Sequence, residues 1–127
     1  MSEYHEPYEE LDAQTRDLHR AMTSLKEEIE AVDWYTQRVA RCADPDLRRI
    51  LEHNRDEEIE HACMTLEWLR RTMPSWADAL KTYLFVEGDI LTAEAREQAG
   101  KGSSGSGGRT ADGGVGVGVG SLKESKR

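Results

Sequence analysis

Arg41-Cys42-Ala43-Asp44-Pro45-Asp46-Leu47 is the stretch that decides how this chain is built. Proline disfavours the helical conformation in the residue before it, while its own fixed φ suits the first turn of a helix. Asp44 therefore ends one helix and caps the next. Upstream, apolar side chains recur at Leu18, Met22, Leu25, Ile29, Val32 and Val39, with Thr36 the polar member, at alternating spacings of 4 and 3. That is the seam of a helix packed along its length. Asp12, with Thr15 three residues on, marks its start. Downstream the same spacing runs through Leu47, Leu51, Asn54, Glu58, His61, Thr65 and Trp68, and Pro74 stops it. Two helices of about 30 residues, each on the order of 45 Å long, joined by so short a turn predict an antiparallel hairpin. Ser75 is a candidate cap for a short third helix from Trp76 to about Val86. Residues 88–98 have room for one more frayed turn or two.

Composition divides the 127 residues in two. Residues 1–98 carry 23 acidic and 12 basic side chains, whereas residues 99–127 carry 2 and 5. Ten of the eleven glycines lie between Gly100 and Gly120. The expectation is an all-α domain over 1–98 and a flexible, disordered Gly-rich tail over 99–127. The acidic body disfavours nucleic-acid binding, which needs a cationic footprint. No apolar run approaches the ~18 residues of a membrane span. The start, Met-Ser-Glu-Tyr-His-Glu, lacks the basic and apolar regions of a signal peptide. Cys42 and Cys63 form no CxxC pair and read as reduced thiols of a cytoplasmic protein.

The second seam is polar in its middle, where Glu58-Ile59-Glu60-His61 gives Glu-x-x-His. Residues three apart share a helix face, and a carboxylate in a packed seam is costly without a partner charge or a metal. Glu28 flanks the first seam. Counted from Asp44, it lies 16 residues back, while Glu58 and His61 lie 14 and 17 ahead. In an antiparallel hairpin the three share one depth. A second apolar stripe on the same helix, Ile59, Cys63, Leu66 and Met73, is more than a lone hairpin can bury, so another subunit is expected. A dimer of hairpins makes a four-helix bundle with two copies of Glu28 and two of Glu58-x-x-His61 in one layer. That is the donor set of ferritin-like di-iron carboxylate proteins. It suits iron better than zinc, and manganese fits the same donors. The competing reading is a salt-bridged hairpin, with Glu58 paired to Arg55 or Arg38.

Other residues have plain readings beside functional ones. Glu27, Glu30 and Asp33 with Trp34 form either a cation attractor or a solvated acidic face. His19 and His53 read as surface or interface residues. Tyr35, seven residues after Glu28 on the same face, is core packing or a redox neighbour.

Two stretches carry a wider resemblance: Ser24-Leu25-Lys26-Glu27-Glu28-Ile29-Glu30-Ala31-Val32-Asp33-Trp34-Tyr35, and His53-Asn54-Arg55-Asp56-Glu57-Glu58-Ile59-Glu60-His61-Ala62-Cys63-Met64-Thr65-Leu66-Glu67-Trp68. With them goes the tail, a Gly/Ser linker ending in Val115-Gly116-Val117-Gly118-Val119-Gly120-Ser121-Leu122-Lys123. Together these resemble the encapsulated ferritins. The resemblance implies a ferroxidase whose di-iron centre forms between two subunits, with two iron ions per dimer and five dimers closing into an annular decamer. It assigns Glu28, Glu58 and His61 as iron ligands and Tyr35 as a catalytic neighbour. It makes Glu27, Glu30 and Trp34 a metal-entry region that can also hold calcium or another divalent cation. Lys26 and Arg55 put positive charge beside these acidic stretches. The tail, about 115–127, resembles a cargo-loading peptide. Val117, Val119, Ser121 and Leu122 would dock it inside an encapsulin shell, in a cytoplasmic nanocompartment. The plain reading of the tail is disorder or a cloning scar.

The function expected is therefore oxidation of Fe(II) by dioxygen, feeding mineral storage in a separate shell. The alternatives are a non-enzymatic, metal-stabilised cargo or scaffold protein, and a di-iron oxidase or peroxidase of another substrate.

Overall fold

The computed structural model describes residues 3–102 of the chain, and all regular structure in them is helical. After a single turn of 3-10 helix at Tyr8–Glu10, α1 runs Ala13–Arg41 and α2 runs Pro45–Thr72. Both starts follow the capping rules. Asp12 accepts a hydrogen bond from the Thr15 backbone N–H at 2.7 Å, and Asp44 accepts one from Leu47 N–H at 2.8 Å. Each satisfies one of the donors that a helix start leaves open. Arg38 and Arg41 close α1, and Arg70 and Arg71 close α2. Positive charge at a helix C-terminus complements its dipole. Glu67 holds both of the arginines that close α2, and the Arg70 guanidinium foremost keeps its carboxyl down at about 2.

The connection Cys42–Asp44 is too short for anything but reversal, so α1 and α2 lie antiparallel and pack along each other as the dominant contact of the fold. The core this creates is thin. Among the described residues only Val39, Leu69 and Ala93 are buried apolar side chains. Leu18, Leu25, Val32 and Leu51 of the seams are half-buried. By contrast Ile29 is 58% exposed, Ile50 56% and Met64 65%. Exposed apolar surface on this scale marks an interaction face.

The C-terminal elements depart from the sequence reading. α3 covers Pro74–Tyr83 and is not capped by Ser75: Met73 is the cap residue and makes no side-chain bond. Pro74 already supplies the first helical φ, which places Ser75 inside the first turn. The helix ends at Tyr83, short of Val86. Phe85 then takes φ +57°, a left-handed conformation that reverses the chain. Gly88 at φ +92° is the second left-handed residue, and a Cβ there would collide with the Arg96 guanidinium. Arg96 clamps this loop, donating to the carbonyls of Glu87 at 2.7 Å and Asp89 at 2.8 Å. After a turn at Ile90–Thr92, α4 spans Ala93–Gly102, so ordered helix passes the boundary expected at 98. It is tied back to α3 by hydrogen bonds from Thr82 to Glu97 and from Tyr83 to Glu94. The tail residues singled out from the sequence, Val117, Val119, Ser121 and Leu122, lie outside the described residues.

Leu69 sits where α2 ends and is fully buried. Truncating it to alanine removes apolar contact and leaves a cavity, so Leu69→Ala should cost about 2–5 kcal/mol. Urea unfolding at fixed protein concentration measures this. A loss under ~0.5 kcal/mol would contradict the packing described.

Candidate metal centre

Glu28 projects from the middle of α1, and Glu58 and His61 from successive turns of α2. Antiparallel packing brings them together. His61 Nδ1 lies 3.5 Å from Glu58 Oε2 and 3.6 Å from Glu28 Oε2. One donor atom from each residue falls within 4.8 Å of the other two, and no other group of three His, Cys, Asp or Glu does so among the described residues. The carboxylates are about three-quarters covered, at 27% and 26% exposure, while the imidazole is 45% exposed.

The electrostatics of this group are set by two acids held side by side. Glu28 has its carboxyl pushed above the ordinary range, first by a hydrogen bond shared with Glu58, then by desolvation and by the Glu58 charge. His61 offsets part of this. Two full negative charges at 4.8 Å or less repel by roughly 3 kcal/mol at an effective dielectric of about 20. A proton or a cation relieves that repulsion. Neither arginine of the salt-bridge reading does so. Arg55 pairs with Asp56 at 3.2 Å, and Arg38 lies over the Tyr35 ring at 5.1 Å. The donor set, two carboxylates and one imidazole, fits a divalent transition ion.

Tyr35 is half-buried, two turns from Glu28 and so ~10 Å along α1. The cation–π contact with Arg38 is readable from the i, i+3 spacing, and it sets Arg38 on Tyr35 instead of Glu58. Glu27 and Glu30 are exposed. Trp34, 51% exposed, lines an open cavity with Gln37 and Arg38, while Gln37 bonds Asp33 at 3.1 Å. The chain on its own thus does not gather Glu27, Glu30 and Trp34 into a metal-sized group. His53 is a surface residue paired with Glu57 at 2.9 Å. Cys42 and Cys63 are free thiols.

Residues 3–87 match the family model described as EncFtn-like. The chain belongs to that family. It is 57% identical over 121 residues to an encapsulated ferritin-like protein of Rhodospirillum rubrum, covering 94% of this chain and 86% of that one. It is 58% identical over 106 residues to a ferritin-like protein of Thermotoga maritima, covering 84% of this chain and 91% of the relative. A crystal structure of a Nitrosomonas europaea protein, 56% identical, superposes with a TM-score of 0.68 over 70% of this chain and 98% of the other. The EncFtn-like match spans α1, α2 and α3, and therefore all three residues of the candidate centre.

Metal competes with protons for the Glu28 carboxylate. Because the Glu28 pKa is raised, the proton competes at a higher pH than for an ordinary glutamate. Cation affinity should therefore fall as pH is lowered toward and through the raised Glu28 value, and binding should release protons. Calorimetric titration in two buffers of different ionisation enthalpy measures the release. Uptake with no proton release at mildly acidic pH would contradict the raised Glu28 carboxyl.

Proposed function

We propose that this protein is a ferroxidase that takes Fe(II) and dioxygen as substrates, and that Glu28, Glu58 and His61 are its iron ligands. The observation that carries this reading is the convergence of those three donors within 4.8 Å of one another, with the imidazole 45% exposed. A two-fold partner laid against them supplies a second Glu28 and a second Glu58-x-x-His61, giving four carboxylates and two imidazoles around two iron ions per dimer. Ferritin-like family membership supports iron as the metal. Hard carboxylate oxygens suit both Fe(II) and Fe(III), and the imidazole nitrogen favours Fe(II). Each Fe(II) gives one electron to dioxygen. The negative charges of Glu28 and Glu58 would balance the added positive charge, and His61 would add a nitrogen donor from the neighbouring turn of α2.

The remaining assignments belong to the same proposal. Tyr35, held under Arg38, is the neighbour of the centre on α1. Glu27, Glu30 and Trp34 form the metal-entry region once a partner adds its own copies, and it can hold calcium or another divalent cation. Five such dimers close into an annular decamer, which agrees with exposed apolar surface on more than one face of the hairpin. A hairpin bundle encloses no storage cavity. The R. rubrum relative is by name an encapsulated protein, and we assign this chain likewise to the interior of an encapsulin nanocompartment. Its C-terminal peptide, with Val117, Val119, Ser121 and Leu122, is the address.

Glu28→Ala, Glu58→Ala and His61→Ala each remove two donors from a symmetric centre. Each should slow Fe(II) oxidation at least ~10-fold, by the scale on which metal-site residues act. Stopped-flow absorbance after mixing with Fe(II) in air measures it. Near-normal rates in Glu58→Ala would end the ferroxidase reading.

The tail carries none of the ligands. Deleting residues 115–127 should leave Fe(II) oxidation intact and abolish co-purification with a co-expressed shell protein. Many subunits per ring make loading multivalent, so Leu122→Ala should weaken it rather than remove it. Full loading of the truncated chain would place the address in the helical body.

A further inference from the structure

We propose that the groove between α2 and α3 seats a second copy of this chain, on a face separate from the candidate metal centre. The groove is open and holds about 660 Å³. Cys63 and Leu66 of α2 line one side, and Ala77, Leu80 and Leu84 line the other, with Phe85 at the rim. Phe85 is 104% exposed and sits at φ +57°. A left-handed backbone is a rare state for a bulky residue. Here it carries the ring out into solvent although an apolar groove lies beside it. Leu84 and Val86 on either side are 42% and 47% exposed. One chain thus displays an aromatic knob beside an apolar hole that no described residue fills.

The order of side chains along α3 and its end identifies the occupant. Ala77, Leu80, Lys81 and Leu84 follow i, i+3, i+4 and i+7 spacing, so they share one stripe. Asp78 lies at its edge, and from Ala77 to Phe85 the groove-lining residues read small, acidic, apolar, basic, large. Turned antiparallel about a two-fold axis near Leu80, that face meets its own copy with Ala77 opposite Leu84 and Phe85, and Asp78 opposite Lys81. Each Phe85 enters the room that an alanine leaves in the other groove, and each carboxylate meets an ammonium. A two-fold contact uses one patch twice and so requires this self-complementarity. Neither Asp78 nor Lys81 enters an ion pair among the described residues, whereas Glu67 on the α2 side is held by Arg70 and Arg71. Burying both phenylalanines removes about 300–500 Å² from water, a sizeable part of the ~1,200 Å² at which specific interfaces begin.

This contact leaves Glu28, Glu58 and His61 untouched. Arg70, which lines the groove, is nine residues from His61, two and a half turns, and so on the opposite side of α2. A chain that pairs through one two-fold face stops at a dimer. A second such face on the far side lets dimers join into a larger closed assembly. The inference rests on the proposed function only for the ring; the surface that joins its dimers is what it adds.

Sedimentation of the full chain at one concentration, with and without Fe(II) under argon, tests it. The full chain should exceed a dimer, and Phe85→Glu should stop at the dimer. The Phe85 side chain is fully exposed, so this variant keeps the fold. Asp78→Lys should weaken the same association at least ~10-fold, because two like-charged pairs then face each other across the axis. Asp78→Lys combined with Lys81→Asp should restore it, a rescue that a merely local role for either residue does not give. A full chain no larger than a dimer, reduced to monomer by Phe85→Glu, keeps the groove contact and removes instead the pairing of two metal faces. Unchanged mass in Phe85→Glu, as when the chain's own C-terminal tail fills the groove, would overturn the proposal. So would a failed rescue, or a full chain that is monomeric under both conditions.

Discussion

Two carboxylates in contact, Glu28 of α1 and Glu58 of α2, are the constraint around which the rest of this molecule is arranged. Nothing in an ordinary helical seam tolerates them, because the repulsion between two ionised acids at that separation exceeds what a single seam contact contributes. Here the pair is partly covered, the Glu28 carboxyl is pushed above its ordinary range by Glu58, and His61 lies 3.5–3.6 Å from both acids. The nearby arginines are engaged elsewhere, Arg55 with Asp56 and Arg38 with Tyr35. The arrangement is thus poised for a cation, since the two arginines that could have neutralised it are engaged elsewhere.

The thin core follows from the same constraint. Polar residues in the middle of the seam remove positions that would otherwise be filled by leucine or isoleucine, and Leu69 becomes the one fully buried large side chain of the described residues. The apolar surface not used inside the hairpin is displayed outside it, and Ile29 and Ile59 adjoin the acids in sequence. A partner covering those residues would bury apolar area and exclude water from the acids in one event. Association and metal binding are therefore expected to reinforce each other, since each removes a cost that the other would face alone.

The C-terminal elements solve a different problem. α3 and α4 are too short and too polar to hold each other by apolar burial, and they are joined through side-chain hydrogen bonds and the Arg96 clamp on the Gly88 loop. That polar latch fixes where the chain leaves the helical body. It also leaves Phe85, Ile90 and Leu91 exposed at its surface.

The sequence by itself determined the two long helices, their caps and their antiparallel relation. Those depend on local rules: Asp12 and Asp44 can bond the turn that follows them, and Pro45 can begin a helix but not continue one. It also determined the depth match of Glu28, Glu58 and His61, because counting residues from a tight turn fixes position along two parallel axes. What it could not determine was set by contacts between residues far apart or by competition within a turn. Pro74 overrode Ser75 as the start of α3. The extended Leu84 ended that helix early, with Phe85 left-handed after it, and Arg96 holds the loop around Gly88. Only the tertiary structure decided that Arg38 stays with Tyr35 and off Glu58, and that Tyr4 comes to lie against the His19 ring. A long side chain can reach several partners from one helix position, and which of them it takes depends on what the neighbouring segment brings within reach.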